Sequence, residues 1–91
     1  MPDQDPIKIL LLDDHKSVLW GLEKLIEGEH PNMQVIGKAT TSAEALRLLD
    51  DVKPHIILLD LDLGGENGSN AIQALIAKSR AKVLVLTGSR D

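Results

Sequence analysis

The 91-residue chain predicts a doubly wound parallel α/β sheet. Short apolar runs alternate along the chain with stretches of helical periodicity, and the connections between them are brief, which is the pattern of βαβ units. The apolar runs are nearly continuous rather than alternating in polarity, as strands covered on both faces require. The core must be aliphatic, because the chain has no Phe or Tyr and a single Trp.

Each element follows from its own residues. Residues 1–6 carry two prolines and read as a frayed lead-in. "IKILLLD" (7–13) is too short for a helix and reads as a buried strand ending in acid. In "HKSVLWGLEKLIEGE" (15–29), Val18, Leu22, Leu25 and Ile26 share one helical face and Leu19 widens it. Gly28 and Pro31 stop that helix. "MQVIGKAT" (33–40) reads as the second strand. Thr41 with Glu44 resembles a capping box, opening a helix that carries Ala45, Leu46, Leu48 and Leu49. Pro54 closes the connection to the third strand, which begins "HIILLD" at residue 55. "GGENGS" (64–69) is a loop, "NAIQALIAKS" (70–79) is a third helix with Ile72, Leu75 and Ile76 inward, and "KVLVLTGS" (82–89) is a fourth strand.

The composition narrows the function. The length allows one small domain, and 43% hydrophobic residues suffice for a core. A net charge of −4 argues against a nucleic-acid surface. The absence of cysteine excludes a disulfide framework, Cys-ligated zinc and a Cys nucleophile. No apolar run has the length of a membrane span, and the acidic start MPDQDPIK is not a signal peptide. The expectation is a soluble, cytoplasmic protein without membrane or direct nucleic-acid partners.

Chemistry in open parallel sheets gathers at the carboxyl ends of the strands. There the first strand carries Asp13 and Asp14, the third carries Asp60, and the fourth ends in Thr87. If the first and third strands are neighbours, three carboxylates converge on one rim. They repel one another and raise one another's proton affinity, so the cluster suits a hard divalent cation such as Mg²⁺. An Asp beside Mg²⁺ can attack a phosphoryl donor and become an aspartyl phosphate, and Thr87 is placed to donate its hydroxyl to a phosphoryl oxygen. Each residue taken alone has a plainer reading, as a helix N-cap, a loop acid or a strand-end threonine. The joint pattern points to a site.

With these residues in view, the chain resembles the receiver domain of two-component response regulators over its whole length. "ILLLDDH" (9–15) is similar to the family's first strand and acidic pair, "IILLDLDLGGENG" (56–68) to its phosphoacceptor strand and loop, and "VLVLTGS" (83–89) to its fourth strand. "DDH" followed by "WGL", and "VIGKATTSAEAL" (35–46), resemble the branch with LuxR-type helix-turn-helix output. The resemblance implies a flavodoxin-like, receiver-type sheet of strand order 2-1-3-4. It implies that Asp60 is the phosphoacceptor and that Mg²⁺ is held by Asp13, Asp14, Asp60 and the backbone carbonyl of Asp62. Thr87 would be the switch hydroxyl, Gly68 the loop glycine, and a sensor histidine kinase the phosphoryl donor.

Two departures are visible. The family's loop after the acceptor reads Met-Pro-x-x-Asp-Gly, whereas Leu63 to Gly68 has no proline and carries Asn67 for the Asp. Residues 1–91 also match four strands and three helices of a five-stranded fold, without the fifth βα unit and its lysine. An uncovered fourth-strand edge, Val83 to Leu86, is therefore expected to promote self-association.

Two other functions fit parts of the pattern. Asp60-Leu61-Asp62 resembles the motif of haloacid dehalogenase-like phosphatases, but that family places its Asp-x-Asp strand first and its acidic pair last. A receiver-like interaction module that is never phosphorylated would have no use for mutually repelling carboxylates. His15, His30 and His55 show no metal-ligand spacing, and His15 reads as a solvated residue at a helix start near the site. Trp20 reads as packing or a partly exposed contact.

Overall fold

A computed structural model describes residues 6–60 and 68–86. Its elements in chain order are β1 (Ile7–Leu12), α1 (Lys16–Glu29), β2 (Met33–Ala39), α2 (Ser42–Leu48), β3 (Ile56–Asp60), α3 (Gly68–Lys78) and β4 (Lys82–Leu86). The strands form one sheet of order β2-β1-β3-β4, and every pairing is parallel. The doubly wound receiver-type sheet expected from the sequence is therefore the observed architecture.

The continuous apolar strands divide between two cores because successive side chains point to opposite faces. Leu10, Leu12, Ile57 and Leu59 pack with Ala45 of α2 and Leu75 of α3. Ile9 and Leu11 pack with Leu19 and Ile26 of α1 on the other face. A register shift lies between Ile9, opposite Val35, and Leu10, opposite Gly37. A Cβ on Gly37 would lie 2.7 Å from Leu10 Cδ1 and 3.4 Å from Leu48 Cδ1. The glycine lets β2 approach two core leucines.

The helix α1 sits differently from its sequence reading. Leu19 and Ile26 are buried, whereas Val18 is exposed and Leu25 is 58% exposed. The cause is a pair of anchors on the opposite flank. Glu27 accepts the Val35 N–H at 2.9 Å and Glu23 pairs with Lys38, so both glutamates face β2. The line Leu19–Leu22–Ile26 then meets the sheet, and Val18 and Leu25 fall on the flank away from β2. In α3, Leu75 is buried but Ile76 is 56% exposed. Gly68 and Ser69, read as loop residues, are the first two residues of α3. The first strand closes at Leu12 and the second at Ala39, one residue earlier than expected in each case. Residues 1–5, 61–67 and 87–91, which include Asp62 and Thr87, lie outside the described residues.

The cap of α2 is a variant of the expected box. Thr41 Oγ1 accepts the Glu44 N–H at 3.1 Å. The Glu44 carboxylate does not return to Thr41; it accepts from the Thr40 N–H at 2.8 Å and the Thr40 hydroxyl at 3.1 Å. These two bonds, the backbone one first, hold the Glu44 carboxyl below its ordinary value, with help from Arg47 and Lys16. Among the described residues β4 is the outer strand opposite β2, and its Leu84 and Val85 are exposed.

Gly37→Ala is expected to destabilise the fold by about 1–3 kcal/mol through overpacking, read as a lower melting temperature. An unchanged melting temperature would contradict the close approach. Glu44→Gln is expected to cost roughly 1 kcal/mol at neutral pH. Because the Glu44 carboxyl is depressed in the folded state, its contribution is full above the ordinary value of 4.5 and disappears as pH falls through the lower folded value. Denaturant melts of the two proteins should therefore begin to draw together below about pH 4.5 and converge as pH falls through the lower folded value, and a gap independent of pH would contradict the assignment.

Candidate functional site

The site is built where β1 runs into α1. Asp13 leaves β1 with its N–H donated to Ala39 O at 3.0 Å, and it is only 6% exposed. Its Oδ1 accepts the His15 N–H at 2.9 Å, which turns the chain sharply. His15 O then accepts from the N–H groups of Val18 and Leu19, both at 3.1 Å, and α1 begins. One turn thus fixes both acids and the helix start.

The side chains gather at the same point. His15 Nδ1 lies 3.2 Å from Asp13 Oδ1 and 2.8 Å from Asp14 Oδ1. The contact to Asp14 has the distance of an ion pair but not the alignment of a hydrogen bond, so Asp14 Oδ1 is a buried oxygen without a hydrogen-bond partner among the described residues. Donor atoms of Asp13, Asp14 and His15 all fall within 4.8 Å of one another. A buried carboxylate oxygen without a donor, beside a second carboxylate, fits a cation, and a carboxylate pair supplies oxygen donors of the kind that Mg²⁺ takes.

Asp60 reaches this rim through the sheet. β1 and β3 are adjacent and Leu12 stands opposite Leu59, so the next residue on each strand is an aspartate, Asp13 and Asp60. Asp60 stands opposite Leu86, and Thr87 follows Leu86. Of the predicted residues, Asp13 and Asp14 are brought together and the backbone of Asp60 ends the neighbouring strand. Gly68 opens α3 rather than standing in a loop. Asp62 and Thr87 are outside the described residues.

Sequence reasoning places His15 at a helix start near the site and exposed to solvent, and the structure agrees, with His15 at the N-cap of α1 and its side chain 59% exposed; the reach of its ring to both acids is what the sequence did not give. Its position directly after the acidic pair has no helical or strand spacing for a ligand. The signal was the strand-to-helix turn itself, which folds residue 15 back over residue 13. His55 has a structural task instead, because its Nδ1 accepts the Lys8 N–H at 2.9 Å between β1 and β3. Trp20 is largely exposed with Lys24 Nζ 4.9 Å from its ring. It borders a cleft of about 450 Å³ formed with Lys16, Leu19, Lys38, Thr40 and Glu44. No helix among the described residues is long and apolar enough to cross a membrane.

Comparison with known proteins agrees with this geometry. The family model described as "Response regulator receiver domain" matches residues 9–91. The transcriptional regulatory protein LiaR of Bacillus subtilis (strain 168) is 37% identical over 86 residues, covering 93% of this chain and 40% of LiaR. The nitrate/nitrite response regulator protein NarL of Escherichia coli (strain K12) is 35% identical over 86 residues, covering 94% of this chain and 39% of NarL. The chain thus spans about 40% of the length of these curated relatives. Among solved structures, the response regulator domain of Thermotoga maritima CheB matches with a TM-score of 0.79 at 27% identity, over 90% of this chain and 60% of that one. A parallel sheet of order 2-1-3-4 with an acidic pair at its carboxyl rim, matched by the family model from residue 9 to residue 91, belongs to the response regulator receiver domain family.

Proposed function

We propose that Asp60 is the phosphoacceptor of this receiver domain, that Asp13 and Asp14 hold the Mg²⁺ the reaction uses, and that a sensor histidine kinase is the donor. The observation that carries this reading is the β1–β3 register, which ends two adjacent strands in Asp13 and Asp60. Receiver domains bind Mg²⁺ at an acidic pocket, and this chain carries an Asp-Asp-His cluster.

In this reading an Asp60 carboxylate oxygen attacks the phosphorus of the donor phosphohistidine. The new O–P bond forms as the P–N bond breaks. The donor imidazole leaves with the electron pair and regains its proton from solvent. Asp13, Asp14, Asp60 and the Asp62 carbonyl would hold Mg²⁺, whose charge offsets that of the phosphoryl oxygens when it is bound. Thr87 follows the phosphoryl group with its hydroxyl and biases the domain toward its signalling conformation. Gly68, at the first position of α3, lets the acceptor loop enter the helix without a side chain.

Further parts of the reading concern partners. The exposed flank of α1, with Trp20 beside the cleft, is where the kinase would dock. Residues 1–91 are read as the first four strands and three helices of a receiver domain, acting in the cytoplasm as a transcription regulator's input. The exposed Leu84 and Val85 of β4 are read as a surface for self-association. The domain is a signalling acceptor rather than an enzyme. The phosphatase alternative is disfavoured by the chain order of its acids, since the pair precedes Asp60.

Incubation with a small acyl phosphate and Mg²⁺ is expected to add one phosphoryl group to the intact mass, and Asp60→Asn is expected to abolish it. An adduct that survives Asp60→Asn would contradict the acceptor, and steady release of phosphate from simple esters would favour the phosphatase. Sedimentation should show association that rises with concentration and falls in Leu84→Lys, whereas a concentration-independent monomer would contradict the self-association.

A further inference from the structure

We propose that the His15 imidazole is a third ligand of the cation at Asp13 and Asp14, and that it tunes the site toward first-row transition ions such as Mn²⁺ over Mg²⁺. The inference rests on the metal reading of the acidic pair and goes beyond it in the identity of the ion.

The geometry points to one shared ion. His15 Nδ1 is 2.8 Å from Asp14 Oδ1 and 3.2 Å from Asp13 Oδ1. Two donors bound side by side on one ion, each about 2.1 Å from it, stand roughly 3.0 Å apart. The two observed separations bracket that edge. Asp14 Oδ1 is already stripped of solvent and has no hydrogen-bond donor among the described residues, so a cation would satisfy it at once. The ring is preorganised. His15 donates its N–H to Asp13 Oδ1 and its carbonyl accepts two amides of α1, so its backbone cannot drift from the acids. The ring is 59% exposed, which leaves an ion and its waters a way in.

The chemistry then sets the preference. Mg²⁺ is hard and takes oxygen donors, whereas an imidazole nitrogen raises affinity for borderline ions in the order Mn²⁺, Co²⁺, Ni²⁺. The competing role for His15 is a counter-charge that neutralises the acids until a cation displaces it. The two roles predict opposite signs. Loss of a ligand weakens transition-ion binding, whereas loss of a counter-charge tightens binding of every cation.

The test is calorimetric titration of the chain with MnCl₂ and MgCl₂, for wild type, His15→Gln and Asp14→Asn, joined to pulsed EPR of the Mn²⁺-loaded wild type carrying ¹⁵N-histidine. His15→Gln is expected to weaken Mn²⁺ binding about tenfold or more while changing Mg²⁺ binding only slightly. The EPR spectrum of the wild type is expected to show a directly bound histidine nitrogen that is lost in His15→Gln. Because the wild-type spectrum needs no substitution, it decides the matter even if a variant fails to fold. Mn²⁺ binding unchanged or tightened in His15→Gln, or no bound nitrogen, overturns the proposal. Asp14→Asn should weaken both ions, and if it leaves both untouched the metal reading fails and this inference fails with it.

Discussion

The structure depends on the parallel register between β1 and β3. Leu10 and Leu12 lie on one face of the sheet and Ile9 and Leu11 on the other, each with its β3 counterpart opposite. Sliding β3 by one residue would turn Ile57 and Leu59 toward α1 and bring Ile56 and Leu58 to the α2–α3 face. The apolar packing therefore fixes the register, and the register fixes where the acids end. Hydrophobic burial, which carries no chemistry, sets the position of the polar residues that do. The same packing brings the backbones of Asp13 and Asp60 to the ends of two neighbouring strands.

The turn after β1 joins that rim to the first helix. Asp13 is buried and holds the His15 amide, and the His15 carbonyl in turn accepts the Val18 and Leu19 amides of α1. An event at the acids is therefore felt at the start of α1 without any long chain of contacts. At its far end α1 is tied to β2 by Glu27 and Glu23. The helix is held at the site by its N-terminal turn and against the edge strand by its glutamates. Its exposed surface, with Trp20, is thereby held in a fixed orientation relative to the acids.

Much of this was legible in the sequence. Near-continuous apolar runs can only be strands covered on both sides, and the short connections between them leave few topologies. The acids at the ends of two strands followed from the same reading. What escaped the sequence was rotation and side-chain reach. Helical periodicity gave α1 an apolar stripe but not the part of it that meets the sheet, because Glu23 and Glu27 set the roll by bonding a strand that periodicity does not include. Ile76 was read as inward for the same reason, since apolar character does not say which neighbour a helix packs against. Glu44 was read as closing a box on Thr41, yet it caps the residue before, a difference of one amide that spacing cannot resolve. His15 stands at the helix start beside the site as its sequence position implies, but the reach of its ring to both acids was not legible, because a turn, rather than an element with a period, brings it there.

The proposed cation site joins Asp14, two residues past the end of β1, to Asp60, the last residue of β3. Thermal melting in rising Mg²⁺, on wild type, Asp14→Asn, Asp60→Asn and the double variant, tests it most directly. An ion bound only to the native state stabilises it by about 2.7 kcal/mol at a hundredfold excess over Kd. The wild-type melting temperature is expected to climb with Mg²⁺, each single substitution to remove most of that climb, and the double variant to lose little more than either single one. A wild type indifferent to Mg²⁺, or substitutions whose effects on the climb simply add, would contradict it.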